Sequence, residues 1–333
     1  MGADWPGFLQ ADPLPALQSQ KGLALPDSAL AYWVQRDLLG DLVPPIETLW
    51  EIPAAVLLVL KQQVNGSWHY PGKSYDPMIG TNYDLLETYR SLRILVEVYG
   101  FNRGHPAIQK AADYIFSCQT AEGDVRGILG NQYMPYYHGA MLELLIKAGY
   151  VDDPRIKLGL DWLLSTRQED GGWIVPAQAV TAKEKTGSFW PGASLPPDRS
   201  KPSSHLAMGM VLRAFAPHPA YRQRAEVLAS ANLLKNRLFQ ADRYNDRKAP
   251  SYWLKFQFPF WWTNLLTALD TLFWLRFSRD DKEIARGLAW YQGHQSSDGL
   301  WETGYGSGKG AEGNRLWVGL AVCRMLKNYK ESG

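Results

Sequence analysis

The sequence contains little of what marks several protein classes. Its two cysteines, Cys118 and Cys323, are too few for a disulfide framework and are typical of a protein from a reducing compartment. The formal net charge is +2 and no run of basic residues occurs, so we do not expect a nucleic-acid partner. The longest apolar stretch, Ile52 to Leu60, is far too short to span a membrane.

The N-terminal segment also lacks the marks of a targeting signal. It has neither a basic flank nor an apolar core, so we do not expect a signal peptide, and Pro6 argues against myristoylation. Residues 1–26 are rich in proline, glycine and glutamine and have no sustained period. We therefore predict an arm over residues 1–26 and a single domain over residues 27–333, in a cytoplasmic protein without a membrane span. The sequence leaves the oligomeric state open.

Strand-like alternation is missing as well, and helical patterns follow one another along the chain. The predicted helices cover residues 28–39, 46–61, 82–99, 106–118, 136–148, 154–166, 204–215, 220–239, 261–276, 281–294 and 314–329. What is abundant is aromatic side chains, which make up 13% of the residues and include 14 Trp and 17 Tyr. We expect some of them in the core and the excess around a cavity.

A short phrase recurs at the ends of alternate predicted helices. It consists of a glutamine, a glycine three or four residues later, and then a tryptophan. Good copies span residues 62–68, 168–173 and 295–301, and a weaker copy at 119–125 has Val125 in the tryptophan position. Recurrence of this kind indicates a repeat architecture, here a module of helix, phrase, helix and tight turn.

Each residue of the phrase has a structural purpose in this interpretation. The glutamine is expected to bond the last unpaired carbonyls of the preceding helix, and the glycine permits a left-handed turn. The tryptophan packs against the neighbouring helix end. The phrase is therefore predicted to be a clamp between successive repeats and not part of an active site.

The phrase resembles the QW motif of the squalene–hopene and oxidosqualene cyclase family, whose helical ring is shared with protein prenyltransferase β subunits. The resemblance covers about residues 46–330 and is supported by the blocks 138–142 and 170–173. It implies an all-α fold, an α/α toroid of about five to six helical hairpins. Helices after each phrase would line the inside, and helices before each phrase would form the outer ring.

The catalytic motifs of that family are missing from the sequence. There is no Asp-x-Asp-Asp motif of the kind with which triterpene cyclases protonate an isoprenoid, and no magnesium-binding Asp-Asp-x-x-Asp. We interpret Asp152-Asp153 and Asp280-Asp281 as helix N-caps. Neither cysteine has the Asp-x-Cys setting of the prenyltransferase zinc site, so we expect no metal and no cofactor.

Candidate site residues follow the phrases, at the starts of the inner helices, where we expect the cavity to open. Asp84 and Asp76 are the first candidates for a general acid, with His138 or His205 as a partner, although an N-cap or core role is the alternative for each. Aromatic faces would stabilise a carbocation. The candidate substrate-binding residues are Tyr75, Tyr83, Tyr133, Tyr136, Tyr137, Phe258, Phe260, Trp261, Trp262, Asn264 and Trp317.

The leading hypothesis is a terpenoid-cyclase-like protein that binds an apolar isoprenoid in a central aromatic cavity, with a non-standard acid if it is a cyclase. One alternative is a carbohydrate-active hydrolase or lyase, and another is a catalytically silent binding or scaffold protein. A nearly charge-free aromatic cavity would favour the isoprenoid-binding protein. An open cleft with two carboxylates would favour the carbohydrate-active enzyme, and a centre filled with side chains would favour the scaffold. The proline-containing loop 172–202 is a candidate lid.

Overall fold

The computed structural model describes residues 9–23, 27–72, 80–176, 192–244, 247–306 and 310–331, which form helices and contain no β-strand. The α-helices are α1 (Leu14–Ser19), α2 (Ser28–Val34), α3 (Pro53–Leu60), α4 (Tyr83–Glu97), α5 (Pro106–Ser117), α6 (Pro135–Leu145), α7 (Pro154–Ser165), α8 (His205–Phe215), α9 (Ala225–Asn236), α10 (Leu265–Trp274), α11 (Lys282–Gly293) and α12 (Ala311–Glu331). π-helical turns extend α2 through Gln35–Leu39 and α6 through Ile146–Tyr150. The predicted all-α class is confirmed.

The helices alternate between an inner and an outer ring. The even-numbered helices contact one another in the order α4, α6, α8, α10, α12, and α12 then contacts α2, so the described helices form six hairpins around a centre. Every residue of α6 and α8 is buried. These two helices pack closely because Gly139 lies against the backbone of Val211, where a Cβ atom would come within 2.8 Å of the Val211 Cα. The predicted toroid is confirmed.

Three predicted helices differ from the observed ones: the helix predicted at 220–239 is α9 (Ala225–Asn236), and a proline or a cap explains the other two. The predicted helix 46–61 is a 3-10 turn at Ile46–Glu51 followed by α3, because Pro53 cannot continue the hydrogen-bond ladder and starts a new helix. The predicted helix 261–276 begins at Leu265. Asn264 caps it by accepting from the Thr267 N–H, and the Thr267 side chain accepts in return from the Asn264 N–H.

Aspartates cap two of the outer helices, as the sequence predicts. Asp153 accepts a hydrogen bond from the Arg155 N–H at the start of α7, and Asp281 accepts one from the Glu283 N–H at the start of α11. Both carboxylates therefore stabilise the N-terminus of an outer helix.

The glutamine of the phrase joins two parts of the backbone. Gln62 Nε2 donates to the Gly66 carbonyl at 2.9 Å, within its own phrase, and to the Ala107 carbonyl at 2.8 Å, in the first turn of α5. Gln119 Nε2 does the same with Gly123 and with Arg155 of α7. The predicted bond from glutamine to the end of its own helix is wrong, because the side chain reaches forward to the next outer helix.

The tryptophan takes the role that was expected of the glutamine. The indole N–H of Trp68 donates to the Leu58 carbonyl at 2.8 Å, and Trp173 and Trp301 donate equally to carbonyls ten residues earlier. These carbonyls lie in the last turn of the preceding outer helix, where intrahelical partners are missing. Together the two side chains make the phrase a clamp between repeats.

Part of the predicted arm is built into the ring. Leu17 of α1 is fully buried, and α1 contacts both α2 and α12. Gln295 of the last phrase donates to the Ala11 carbonyl just before α1. The N-terminal segment thus occupies the position that an outer helix occupies at the other clamps.

Candidate functional site: a charged central cavity

A large cavity lies within the ring, beside the later turns of the inner helices. Its volume is about 990 Å³, and its lining includes Gly100 and Asn102 after α4, Ala216 after α8, and Glu331 at the end of α12. The sequence pattern predicts an opening at the starts of these helices. The structure therefore places the cavity towards the opposite ends from those expected.

Every inner helix contributes charge to this cavity. The charged ring, as we call this set, consists of Arg36 and Asp37 from the turn after α2, Glu97 from α4, Glu143 and Lys147 from α6 and its extension, Arg213 from α8, Asp270 from α10, and Arg324 and Lys327 from α12. A lining this rich in charge differs from the nearly charge-free cavity that we expect around a simple hydrocarbon ligand.

Lys147 bridges two carboxylates on one side of the charged ring. Its Nζ lies 2.7 Å from Glu97 Oε1 and 2.8 Å from Glu143 Oε1. Burial alone would lower the pKa of the Lys147 ammonium, but Glu143 and Glu97 raise it above its usual range. The lysine is therefore a fixed cation that pairs with both glutamates.

Arg213 extends this network to the floor of the cavity. Its Nε lies 2.8 Å from Glu143 Oε2, and its terminal nitrogens donate at 3.3 Å to the carbonyls of Phe260 and Trp261. The single charge of α8 thus fixes the backbone of the aromatic segment before α10.

On the opposite side of the ring, α12 is tied to the turn after α2. Arg324 forms an ion pair with the Asp37 carboxylate, and Lys327 Nζ donates to the Asp37 carbonyl at 2.9 Å. Asp37 also pairs with Arg36 at 2.5 Å. These contacts close the ring of inner helices with charge as well as with packing.

Asp270 differs from the other carboxylates of the charged ring. It is the one charged residue of α10, and it lines the cavity. Burial raises its pKa to about 6; Lys147 opposes this shift, and Glu143 and Glu97 add to it. Asp270 is therefore a carboxyl group that keeps its proton to a higher pH than an ordinary aspartate, which is the property of a candidate general acid.

Apolar and aromatic side chains complete the cavity lining. The aromatic residues are Trp33, Phe101, Phe258, Phe260 and Trp274. Phe258 and Phe260 are in edge-to-face contact at 5.3 Å between ring centroids. Two of the predicted substrate-binding residues, Phe258 and Phe260, thus lie on the cavity wall.

Four other predicted binding residues meet in an aromatic cluster. The rings of Tyr136 and Tyr137 lie 4.4 Å apart, and both contact Trp262 at about 6 Å. Trp261 completes the cluster and also packs against Tyr89 at 5.0 Å. The four side chains pack on one another at the starts of the inner helices and do not line the cavity.

The remaining predicted binding residues have separate surroundings. Tyr133 donates from its hydroxyl to Glu122 at 2.7 Å, and Tyr83 packs against Tyr70. Asn264 is the N-cap of α10. Trp317 stacks on Phe258 and donates to Asp27 at 2.8 Å. Tyr75 lies outside the described residues.

The predicted acid Asp84 lies apart from the cavity. Asp84 accepts hydrogen bonds from the Tyr70 N–H and the Gln63 amide, both at 3.2 Å, and its carboxylate lies 3.2 Å from His69 Nδ1. These contacts connect the first phrase to α4. Asp76 lies outside the described residues.

The two predicted histidine partners are buried elsewhere. His138 Nδ1 accepts from the Val125 N–H and its Nε2 donates to the Gly159 carbonyl, both at 3.1 Å; burial lowers its pKa to about 4. His205 packs on Trp253 at 4.5 Å and lies 3.6 Å from Asp242. Neither histidine lines the cavity. A catalytic role for them stays a prediction.

No protein-ligand site for a metal emerges among the described residues, which contain no group of three His, Cys, Asp or Glu side chains able to hold an ion. None of the helices in the described ranges has the length and apolar character needed to cross a bilayer. Most of the predicted lid, residues 177–191, lies outside the described residues.

Comparison with known proteins agrees with the resemblance in the repeated phrase. No protein-family model matches the chain. A curated "Probable squalene–hopene cyclase" from Sinorhizobium fredii is 27% identical over 182 residues, which are 52% of this chain and 27% of that protein. The chain thus spans about a quarter of the relative it matches. The predicted resemblance to the terpenoid-cyclase superfamily is confirmed at this level.

Solved structures with related architecture have low sequence identity. A protein from Actinoplanes is 17% identical, with a TM-score of 0.44 and coverage of 86% of this chain and 88% of that chain. A type II terpene cyclase from Scytonema, in complex with geranylgeranyl dihydroxybenzoate, is 14% identical, with a TM-score of 0.37 and coverage of 86% and 98%.

Proposed function

We propose that this protein is a terpenoid-cyclase-like enzyme that binds a prenylated ligand in the central cavity and starts its cyclisation with a proton from Asp270. The observation that carries the proposal is the position of Asp270 in a cavity with an aromatic wall, where burial raises the pKa of its carboxyl group to about 6. The likeness to a curated squalene–hopene cyclase over half of the chain supports the reaction class.

The chemistry needs one acid and a sheltered carbocation. The protonated Asp270 carboxyl gives its proton to a terminal carbon–carbon double bond, which forms a C–H bond and leaves a tertiary carbocation and the Asp270 carboxylate. A second double bond of the ligand attacks this cation and forms the C–C bond of the ring. The cyclised cation then loses a proton to water, which restores the ligand's composition, and Asp270 takes up a proton from water, so the reaction is an isomerisation.

The distribution of charge orients the ligand. A carbocation is stabilised by the faces of aromatic rings such as Phe258 and Phe260, and it is repelled by cations such as Lys147 and Arg213. The prenyl chain therefore lies along the aromatic wall with its terminal double bond at Asp270, and cations of the charged ring away from that end accommodate a polar head group. An amphipathic, prenylated compound fits this cavity better than a pure hydrocarbon.

The proposal is tested by native mass spectrometry of the purified protein, followed by incubation with geranylgeraniol, geranylgeranylated hydroxybenzoic acid and squalene. We expect binding and a cyclised product of unchanged mass from the polar-headed compounds. Asp270→Asn should abolish the product while binding persists, because the acid is lost and the shape is kept. Asp84→Asn tests the rival acid.

The matched control is Asp113→Asn, since the Asp113 side chain on α5 is 75% exposed and remote from the cavity. It should give wild-type product. No bound prenyl compound, or a product that survives Asp270→Asn and disappears with Asp84→Asn, would contradict the proposal.

A second candidate is a carbohydrate-active hydrolase, which is favoured by the carboxylates in the cavity. Asp270 has the raised pKa of a general acid, and the side chains of Glu97 and Glu143, which pair with Lys147, are the candidates for a nucleophile or base. The test is the release of reducing ends from a panel of polysaccharides. If the wild-type protein releases them and both Asp270→Asn and Glu143→Gln do not, the hydrolase is favoured over the cyclase. A cavity of about 990 Å³ argues against a scaffold with a filled centre.

A further inference from the structure

A buried arginine outside the charged ring pairs with no carboxylate of the described residues. Arg93 lies on inner helix α4, one turn before Val96 and Glu97, which line the central cavity. It is 8% exposed, and among the described residues no hydrogen-bond acceptor reaches its Nε or Nη1. Transfer of a charge from water into a protein is unfavourable unless a counter-charge accompanies it. Arg93 is therefore a cation whose counter-ion the described part of the chain does not supply.

The Tyr89 hydroxyl is a second donor without an acceptor among the described residues. Tyr89 lies one turn before Arg93 on the same face of α4. It is 1% exposed, and burial raises the pKa of its hydroxyl, so the group keeps its proton. The Arg93 Cζ atom lies 5.8 Å from the centre of the Tyr89 ring. Two neighbouring side chains thus both present hydrogen-bond donors.

The charges around Arg93 leave a positive excess. Burial lowers the pKa of the Arg93 guanidinium; Arg213 and Arg90 lower it further, while Tyr89 and Glu97 oppose the shift. Arg213 and Arg90 are each paired with a glutamate of their own. Arg93 is therefore the unbalanced cation of the three arginines, and an anion beside it would offset both its burial and the repulsion from its neighbours.

The ring of Trp261 packs against both residues without giving them an acceptor. The Arg93 Cζ atom lies 4.5 Å from the centre of the Trp261 ring, and Tyr89 contacts that ring edge to face at 5.0 Å. Attraction to a ring face offsets part of the cost of burying the guanidinium, but it satisfies no N–H group. The Trp261 carbonyl already accepts from Arg213 at 3.3 Å. The missing acceptor therefore has to come from outside the described part of the chain.

The position of the pair favours a small ion over the head group of a prenylated ligand. Neither Arg93 nor Tyr89 lines the central cavity. The two side chains lie between α4 and the segment before α10, which are on opposite sides of the ring. A monatomic halide needs about the space of one water molecule. The edges of aromatic rings carry partial positive charge, so the packed rings around this place favour an anion as well.

We propose that Arg93 and Tyr89 form a binding site for a small monovalent anion of the halide class inside the ring. The anion accepts hydrogen bonds from the guanidinium and the hydroxyl and balances the charge of Arg93. Because the site exists only when α4 and the segment before α10 are packed together, the anion stabilises the folded ring. The proposal needs neither Asp270 as an acid nor a prenylated ligand.

The test measures thermal unfolding of the ligand-free protein while sodium chloride replaces sodium gluconate at constant ionic strength. An ion that binds only the folded chain stabilises it, so the wild-type Tm should rise by about 3 °C when chloride reaches about ten times its Kd. Arg93→Met should show no rise. Tyr89→Phe should raise the Kd of chloride by about 5-fold, because one hydrogen bond is lost, and it provides the test if Arg93→Met does not fold.

Arg90→Met is the matched control and should keep the rise. Arg90 lies on the same helix, 5.4 Å from the same Trp261 ring, but it pairs with Glu87. In crystals grown with sodium bromide, anomalous diffraction should place a bromide ion beside Arg93 and Tyr89. An equal rise in every variant, no rise in the wild type, or bromide only at other places would overturn the proposal. Cyclisation plays no part in these measurements, so the anion site and the proposed function can fail separately.

Discussion

The side-chain amide of Gln295 donates to the Ala11 carbonyl at 2.8 Å, and the Ala11 N–H donates back to the Gln295 Oε1 at 3.0 Å. These residues lie 284 positions apart in the chain. The glutamines of two earlier phrases, Gln62 and Gln119, likewise donate to a carbonyl of the next outer helix. The clamp that joins neighbouring repeats therefore also joins the last repeat to the first, and it closes the ring.

Loss of the closing clamp is expected to destabilise the whole ring. Gln295→Ala removes the partner of two backbone carbonyls and one N–H, for which we expect a loss of about 1–3 kcal/mol in the free energy of unfolding. Urea denaturation measures it. Gln109→Ala is the control, because its bond to the Arg103 carbonyl is exposed; an equal loss in both variants would contradict the closing role.

The glycine of the first clamp is expected to tolerate no side chain. Gly66 has φ +90° and a Cβ atom there would overlap the Lys110 carbonyl of α5, so we expect Gly66→Ala to cost roughly 2–5 kcal/mol from strain plus overlap. Gly72 has a similar φ of +76° with open space around it. Gly72→Ala should cost only about 1–2 kcal/mol in the same thermal or urea unfolding measurement. Similar costs at the two positions would show that close approach plays no part.

His138 is expected to make stability fall as the pH falls from 6.5 towards 4. Burial lowers its pKa to about 4, against the opposing effects of Gly159 and Asp124, because the folded protein requires a neutral ring that accepts from the Val125 N–H. Between the folded and unfolded pKa values the unfolded chain takes up a proton that the folded chain does not, which favours unfolding.

The measurement compares wild type with His138→Gln, which keeps a donor and an acceptor but does not titrate. The difference in unfolding free energy between the two proteins should shrink by about 3 kcal/mol from pH 7 to pH 4. A difference that stays constant over this range would mean that His138 is not held neutral by the fold.

The ring could be predicted from the sequence because each clamp is local. Glutamine, glycine and tryptophan fall within seven residues, as in 62–68, so all three residues of the clamp can be recognised in one short stretch of sequence. The stretch does not show which carbonyl each of the two side chains bonds. Whether Gln62 bonds backward to its own helix or forward to Ala107 depends on where α5 lies, and that is a property of the packed ring.

The charged ring could not be assembled in the same way. Its members are scattered from Arg36 to Lys327 and meet because six inner helices share one centre. A local signal nevertheless existed. Glu143, Arg213 and Asp270 are each an isolated charge in a helix that is otherwise almost entirely apolar, and a charge in that position needs a partner or a function.

The aromatic candidates show why position along a helix matters as much as residue type. Tyr136, Tyr137, Trp261 and Trp262 were expected to line the cavity and instead pack on one another near the helix starts. Phe258 and Phe260 lie on the wall because the segment before α10 enters the ring and is held there by Arg213.

The central claim is that Asp270 is a cavity carboxyl that holds its proton to unusually high pH. The most direct measurement is the pH titration of the Asp270 carboxyl carbon by NMR in protein labelled with ¹³C-aspartate, with Asp270→Asn to assign the signal. We expect a pKa of about 6, which Lys147→Met should raise further by removing the opposing cation. A pKa near 3.8, the ordinary aspartate value, would contradict the assignment of Asp270 as the acid.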